Sequence, residues 1–354
     1  MTEPNSSIDS NQDPDTILNE PQQEKNSTMK TFLFILAIII LTVIIAVLAL
    51  SVLSDEEESS DNTNNSSQTN TTEQQPVVSS DNNGVSELIA AEDAINDNIT
   101  VTEDDNYYYF ASNGLPTHET GTFPNANNPN TISAQDYSFK IAKNPEKLAY
   151  LTASRIFGIT LGGVPFDPGT AETDADTGWS IEAFQELLNL GLDMNNAHVQ
   201  PSGAYHYHGI PEALVANDSI NSHSTLIGFA GDGFPVYARY GYSNPDDASS
   251  TVKVMTSSWQ LKTGQRVDGP AGEYDGTYTN DFEFIENSGD LDECGGRYTV
   301  TPEYPGGTYA YFFTDEFPYI PRCVYGTLDD TFSPAQGAGA PNQQGGGQQP
   351  PPMR

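Results

Sequence analysis

The chain has 354 residues, and its 49 Asp and Glu against 13 Lys and Arg give a formal net charge of −36 at pH 7. This excess of negative charge argues against nucleic acid or an anionic membrane surface as a partner, and it favours cations. No repeat of fixed period occurs, which argues against a solenoid or a propeller.

One uncharged apolar segment dominates the N-terminal part of the chain. Residues 31–53, TFLFILAIIILTVIIAVLALSVL, would span about 35 Å as a helix, which predicts a transmembrane helix. Lys25 and Lys30 precede the segment, whereas acidic residues follow it and the next basic residue is Lys140. The positive-inside rule therefore predicts a single-pass signal-anchor in the cell membrane, with a cytoplasmic N-terminus and an extracytoplasmic C-terminal domain.

Three polar segments contain too few apolar residues to bury a core. We expect residues 1–30 to be a disordered cytoplasmic tail, residues 54–84 a disordered acidic linker and residues 333–354 a disordered Gly/Gln/Pro tail. Residues 85–332 are expected to form the folded ectodomain.

The ectodomain consists mostly of short runs in which polar residues alternate with apolar or aromatic ones, separated by glycine and proline. This pattern predicts a mainly β fold, a sandwich or a distorted barrel. One or two short helices are expected within it. Ser180 could cap such a helix over residues 181–190, IEAFQELLNL, and Gly191 would end it.

Residues 197–209, AHVQPSGAYHYHG, predict a β-hairpin that carries three of the five histidines in the chain. Proline and glycine suit a three-residue loop at 201–203. In that register His198 lies opposite His206, and His208 lies diagonal to His198. Side chains alternate along a strand, so the three imidazoles share one face and Tyr205 and Tyr207 take the other. A two-residue loop would put His198 on the wrong face.

Three neutral imidazoles on one face are the ligand set of an open zinc site, and they also suit copper. We therefore predict that His198, His206 and His208 bind a transition metal ion. Two other interpretations stay open: a metal-free histidine cluster used for catalysis or pH sensing, and histidines that make structural hydrogen bonds.

Three further side chains are candidates for this site. His118 and His223 lie in loops beside turns and could be additional ligands. Asp232 lies between two glycines, a setting that usually indicates a turn residue bonded to its own backbone. It could also expose its carboxylate to a pocket as a fourth ligand or a catalytic general base.

Cys294 and Cys323 are the two cysteines of the chain. Outside the cytoplasm an even pair predicts a disulfide bond. The alternative is a free thiol that acts as a nucleophile or a ligand.

The motif YHYH at 205–208, together with SNGLPTH at 112–118, GVPFDPG at 163–169 and GDGFPVY at 231–237, resembles the YHYH-domain family. The resemblance covers roughly residues 100–330 in the same order and includes the long segment that contains both cysteines. It implies an extracytoplasmic protein in which His206 and His208 are the signature histidines. It implies no settled activity, and it does not establish a metal.

The preferred hypothesis is a membrane-anchored extracytoplasmic protein that binds zinc or copper through a histidine cluster. Whether it is an enzyme stays open. One alternative is a metal-dependent hydrolase that uses an open site of three histidines. Another is an adhesion or glycan-binding module in which the tyrosines form a recognition surface and the histidines are structural. A protein or glycan partner is not predicted by any motif.

Overall fold

The computed structural model describes residues 83–332. The predicted tails 1–30 and 333–354 and the predicted membrane helix 31–53 lie outside the described residues, as does the predicted linker up to residue 82. Among residues 83–332 no helix has the length and the apolar character that crossing a bilayer requires.

One α-helix, α1 (Asn83–Ile95), precedes the strands of the described chain. Its residues Val85 and Ile89 are buried against the domain core. The strands that follow are β1 (Ile99–Glu103), β2 (Tyr107–Ser112), β3 (Tyr137–Ala142), β4 (Thr152–Ala153), β5 (Gly158–Thr160), β6 (Pro165–Phe166), β7 (Ala197–Val199), β8 (Tyr205–Tyr207), β9 (Gly228–Ala230), β10 (Pro235–Ala238), β11 (Tyr240–Tyr242), β12 (Val252–Val254), β13 (Trp259–Leu261), β14 (Phe282–Phe284), β15 (Gly296–Thr299), β16 (Thr308–Phe313) and β17 (Cys323–Val324). Short 3-10 helices occur at Thr279–Asp281 and Asp330–Phe332.

The strands form two main sheets. β1, β2 and β3 make an antiparallel sheet in that order. The larger sheet has eight strands in the order β15-β16-β10-β9-β5-β6-β8-β7. Its β6–β8 and β10–β16 pairs are parallel, and its other pairs are antiparallel. The pairs β11–β12, β13–β14 and β4–β17 are separate two-stranded ribbons.

The large sheet is buried on both faces along its longest strand, β16. Tyr311 and Phe313 belong to one apolar cluster, whereas Phe312 belongs to a second cluster. The three-stranded sheet contributes Phe110 and Phe139 to that second cluster. The predicted mainly β fold is therefore confirmed as sandwich-like, and the described strands close no barrel.

The predicted disulfide bond is present. Cys294 and Cys323 are joined, with their Cα atoms 5.2 Å apart, and they are separated by 29 positions in the sequence. Cys294 is fully buried in the first apolar cluster. The bond connects the turn before β15 to strand β17, so it joins the edge of the large sheet to the β4–β17 ribbon.

The helix predicted over residues 181–190 is wrong, since this segment forms an isolated bridge followed by turns and bends. Its backbone is hydrogen-bonded to distant segments: the amide of Ile181 donates to the carbonyl of Glu172, and that of Glu182 donates to Thr277. The buried Glu182 carboxylate also pairs with Arg322, with 2.6 Å between Oε2 and Nη2. These tertiary partners outweigh the local helical pattern.

Candidate metal centre

The hairpin formed by β7 and β8 has the predicted loop and register. His198 pairs with His206, and Val199 pairs with Tyr205. The loop is closed by a hydrogen bond of 2.8 Å from the amide of Gly203 to the carbonyl of Gln200. Gly203 has φ +87°, a left-handed conformation that favours glycine. The turn chemistry thus places the three histidines on a common face.

The Nε2 atoms of the three imidazoles converge. The Nε2 atom of His208 lies 3.1 Å from that of His206 and 3.1 Å from that of His198. The three ring centroids are 4.7–4.8 Å apart. Three nitrogens bound to one tetrahedral ion at 2.0–2.1 Å would be separated by about 3.3 Å, so these rings are already close to a ligating arrangement.

Hydrogen bonds assign the protons on two of the rings. The Nδ1 atom of His198 lies 3.1 Å from the Leu190 carbonyl, and that of His206 lies 3.2 Å from the Ala204 carbonyl. A carbonyl can only accept, so each Nδ1 carries the hydrogen and each Nε2 presents a lone pair. The Nδ1 atom of His208 is buried and has no hydrogen-bond partner among the described residues.

All three imidazoles are held in the neutral form. Burial, and to a smaller extent the neighbouring His198, lowers the pKa of His206 to about 3. Burial, followed by the proximity of His206 and His198, holds the pKa of His208 well below its ordinary value. The pKa of His198 is also lowered by burial. The neutral imidazole is the form that binds metal ions.

The opposite face of β8 is occupied by tyrosines, as predicted. Tyr205 and Tyr207 are buried in the first apolar cluster. The hydroxyl of Tyr205 donates to Asp193 Oδ2 at 2.7 Å, and that of Tyr207 lies 2.6 Å from Nε2 of His118. His118 is therefore on the tyrosine side of the strand, and the structure does not bring it to the three histidines.

The other two predicted site residues also lie apart from the histidine group. His223 is buried, with its Nδ1 atom 2.9 Å from the Ser224 carbonyl and its ring against Tyr237. Asp232 is buried in the turn between β9 and β10. Its Oδ2 atom accepts hydrogen bonds from the Tyr311 hydroxyl (2.7 Å) and the Gly326 amide (2.8 Å).

A cavity of about 340 Å³ opens beside the histidine rings. Its walls combine the three imidazoles with charged side chains from elsewhere in the chain. The residues that matter for its chemistry are His198, His206, His208, Arg155, Asp167 and Glu172.

Asp167 is a candidate functional residue that sequence reasoning missed. Phe166 pairs with Tyr207 in the parallel β6–β8 register, so the next residue, Asp167, faces the same side as His208. Gln200 Nε2 donates to Asp167 Oδ2 at 3.1 Å, and burial raises the pKa of Asp167 to about 6. In the sequence it stands in VPFDPG, where an aspartate before proline is typical of a turn.

Comparison with known proteins supports the resemblance on which the sequence analysis relied. A family model described as YHYH protein matches residues 138–326, which include the histidine hairpin, Asp167 and both cysteines. No curated protein matches the chain significantly, and no solved structure does either. The match covers more than half of the chain and carries the tyrosine–histidine motif of β8 within it. The chain therefore belongs to the YHYH protein family.

Proposed function

We propose that this protein binds one transition metal ion, zinc or copper, through the Nε2 atoms of His198, His206 and His208. The observation that carries the proposal is their convergence, with 3.1 Å between neighbouring Nε2 atoms in a largely buried setting. The two carbonyls that hold the Nδ1 hydrogens of His198 and His206 support it. Such partners fix the tautomer and the ring orientation of metal-ligating histidines.

Elemental analysis of the full-length chain, without a polyhistidine tag, tests this proposal. After incubation with zinc or copper and dialysis, the wild type should retain about one equivalent of metal. His206→Ala should retain less than about a tenth of that, because two imidazoles bind far more weakly than three. His118→Ala is the matched control and should keep the full amount. A wild type without metal, or equal retention by His206→Ala, would overturn the proposal.

A second candidate function, metal-dependent hydrolysis, is favoured by the cavity and by Asp167. A bound transition metal supplies Lewis acidity. The Asp167 carboxyl, whose pKa is raised to about 6 by burial, could exchange a proton near neutral pH with a molecule in the cavity. Its hydrogen bond from Gln200 holds the carboxyl in place.

Chromogenic acetate and phosphate esters test the hydrolase function. The metal-loaded wild type should hydrolyse at least one of them, and Asp167→Asn should lose most of this activity while its metal content stays unchanged. The asparagine keeps the shape of the side chain but cannot exchange the proton. Absence of turnover by the wild type would exclude hydrolysis of these ester classes, and full activity of Asp167→Asn would exclude the role of Asp167.

We also propose that residues 31–53 anchor the protein in the cell membrane, with the described domain on the extracytoplasmic side. The apolar length and the flanking lysines support this orientation. The Cys294–Cys323 disulfide also supports it, since such bonds persist in oxidising compartments. In intact cells, protease added outside should digest the domain. Protection until the membrane is permeabilised would contradict the orientation.

A further inference from the structure

Basic side chains are scarce in the described domain, and nearly all of them are engaged. Residues 83–332 contain ten Lys and Arg. Seven of these form salt bridges: Lys140, Lys143, Lys147, Arg239, Lys253, Arg266 and Arg322. Lys262 donates to the Asn280 carbonyl, and Arg297 donates to the Tyr242 carbonyl. Arg155 makes neither a salt bridge nor a hydrogen bond with any described residue.

The backbone around Arg155 is firmly held although its side chain is exposed. Both neighbours, Ser154 and Ile156, are buried. The Ser154 amide donates to the Arg322 carbonyl at 2.9 Å, and the Ser154 hydroxyl donates to the Ile156 carbonyl at 2.5 Å. Because the residues on both sides are buried and hydrogen-bonded, the backbone of Arg155 has a defined position from which the guanidinium extends.

Arg155 lines the same cavity as the three histidines. His206 and Asp167 line that cavity too, so the positive charge of Arg155 acts electrostatically on both. A guanidinium offers five N–H donors in a planar fork that matches a carboxylate or a phosphate. Acidic residues far outnumber basic ones in this protein, yet Arg155 forms no ion pair within the described domain. Its positive charge beside the histidine cluster is therefore available to bind an anionic ligand.

We propose that the cavity binds a small molecule through a carboxylate or phosphate group held between the metal ion and Arg155. This inference rests on the proposed metal site. Two positive centres would share one oxyanion, with Arg155 making charge-assisted hydrogen bonds to it. The acids Asp167 and Glu172 in the cavity wall and the strongly negative domain disfavour large polyanions, so the ligand is small. A volume of about 340 Å³ is at the small end of ligand pockets.

A competing explanation is that Arg155 only offsets the negative charge of the buried Asp167. In that case its removal would change the pKa of Asp167 and leave anion binding unaltered. The two explanations differ in what is measured with added anion, so anion titration of matched variants separates them.

The test uses the full-length chain loaded with Co²⁺, whose visible absorption reports on its ligands. Wild type, Arg155→Ala and the control Lys262→Ala are titrated with inorganic phosphate and, separately, with acetate. Lys262→Ala removes the same charge from outside the cavity lining. The wild-type spectrum should change and saturate at millimolar concentrations of at least one anion. The dissociation constant should rise about tenfold in Arg155→Ala and stay unchanged in Lys262→Ala, since hydrogen bonds to charged groups contribute this order of free energy.

The outcomes are distinct. Saturation by phosphate alone, or by acetate alone, identifies the anion class. No spectral change in the wild type, or equal dissociation constants in wild type and Arg155→Ala with equal cobalt content, overturns the anion site and leaves the metal site standing. Failure of the wild type to take up cobalt, zinc or copper overturns both. Circular dichroism of Arg155→Ala verifies that the fold is kept, as expected for an exposed side chain.

Discussion

His208 differs from its two partners in its hydrogen bonding. The Nδ1 atoms of His198 and His206 face carbonyls at 3.1 and 3.2 Å, whereas that of His208 makes no hydrogen bond of normal length and angle among the described residues. Without an ion, Nε2 of His208 can donate its hydrogen to one of the two Nε2 lone pairs at 3.1 Å. Burial then keeps all three rings uncharged, because a charged imidazole in this setting would lose its hydration.

The metal-free protein should lose stability in mild acid. Its buried histidines have pKa values below the ordinary 6.5, about 3 for His206. Below pH 6.5 the unfolded chain therefore binds protons that the folded chain does not. The contribution of these neutral histidines to the free energy of unfolding is fully present above pH 6.5, and it is lost as the pH drops towards 3. The lowered pKa of His206 alone should reduce the free energy of unfolding by about 2 kcal/mol at pH 5 relative to pH 7.

Urea denaturation at pH 7 and pH 5, with a chelator present, measures this effect. His206→Asn is the control, because its difference in unfolding free energy between the two pH values should be smaller by about 2 kcal/mol. Comparison with this variant also cancels the opposite contribution of Asp167, whose pKa is raised. An equal pH dependence of the two proteins would contradict the neutral, buried state of His206.

Asp232 should matter for stability and not for metal binding. Its Oδ2 atom accepts hydrogen bonds from the Tyr311 hydroxyl and the Gly326 amide in a buried turn. Asp232→Ala leaves both donors unpaired and should lower the unfolding free energy by about 2–4 kcal/mol, whereas Asp232→Asn keeps an acceptor and should cost less. Both variants should retain the full metal content by elemental analysis. Loss of metal from a folded Asp232→Asn would instead support the role as ligand or base.

At the scale of elements, the β7–β8 hairpin determines which side chains face the cavity. Because side chains alternate along a strand, a shift of one residue in its register would exchange the histidine face for the tyrosine face. The three-residue loop prevents this shift, and Gly203 supplies the left-handed conformation that the loop requires, with φ +87°.

Gly203→Ala should weaken metal binding, and Gly264→Ala provides a matched control. Both glycines have left-handed backbones, with φ +87° and +90°. A Cβ atom at Gly203 would overlap Ser133 Oγ and lie 2.9 Å from Ser133 Cβ, whereas one at Gly264 would meet nothing within 4 Å. Displacement of the loop should raise the metal dissociation constant about tenfold in Gly203→Ala, equivalent to about 1.4 kcal/mol.

Competition with a chromophoric chelator measures the two constants. Gly264→Ala should bind metal as tightly as the wild type, although both variants carry the strain of an L residue in the left-handed region. Equal affinity of Gly203→Ala and wild type would mean that the loop does not control the arrangement of the histidines.

At the scale of the whole molecule, one covalent bond joins distant parts of the domain. The Cys294–Cys323 disulfide closes a loop with a sequence separation of 29. On the chain-entropy model such a loop stabilises the folded state by about 3–4 kcal/mol. Unfolding with and without a phosphine reductant should reveal a difference of this size. The double variant Cys294→Ala, Cys323→Ala should be insensitive to the reductant, and an insensitive wild type would contradict the prediction.

Much of the candidate site was predictable from local sequence. The loop 201–203 and the alternation along 204–208 determine which faces His198, His206 and His208 occupy, because turn geometry and side-chain alternation depend on adjacent residues. The same alternation predicted the mainly β fold. The disulfide followed from the presence of two cysteines and the expected oxidising compartment.

Other features depend on residues that are far apart in the sequence, and the tertiary structure alone decided them. Residues 181–190 follow a helical pattern, but Ile181 and Glu182 form backbone hydrogen bonds with loop residues elsewhere, Glu172 and Thr277. Arg155 and Asp167 reach the histidine cavity through the pairing of β5, β6 and β8, and His118 meets the other face of β8. Local propensity is worth fractions of a kcal/mol per residue, so packing and long-range hydrogen bonds outweigh it wherever the two conflict.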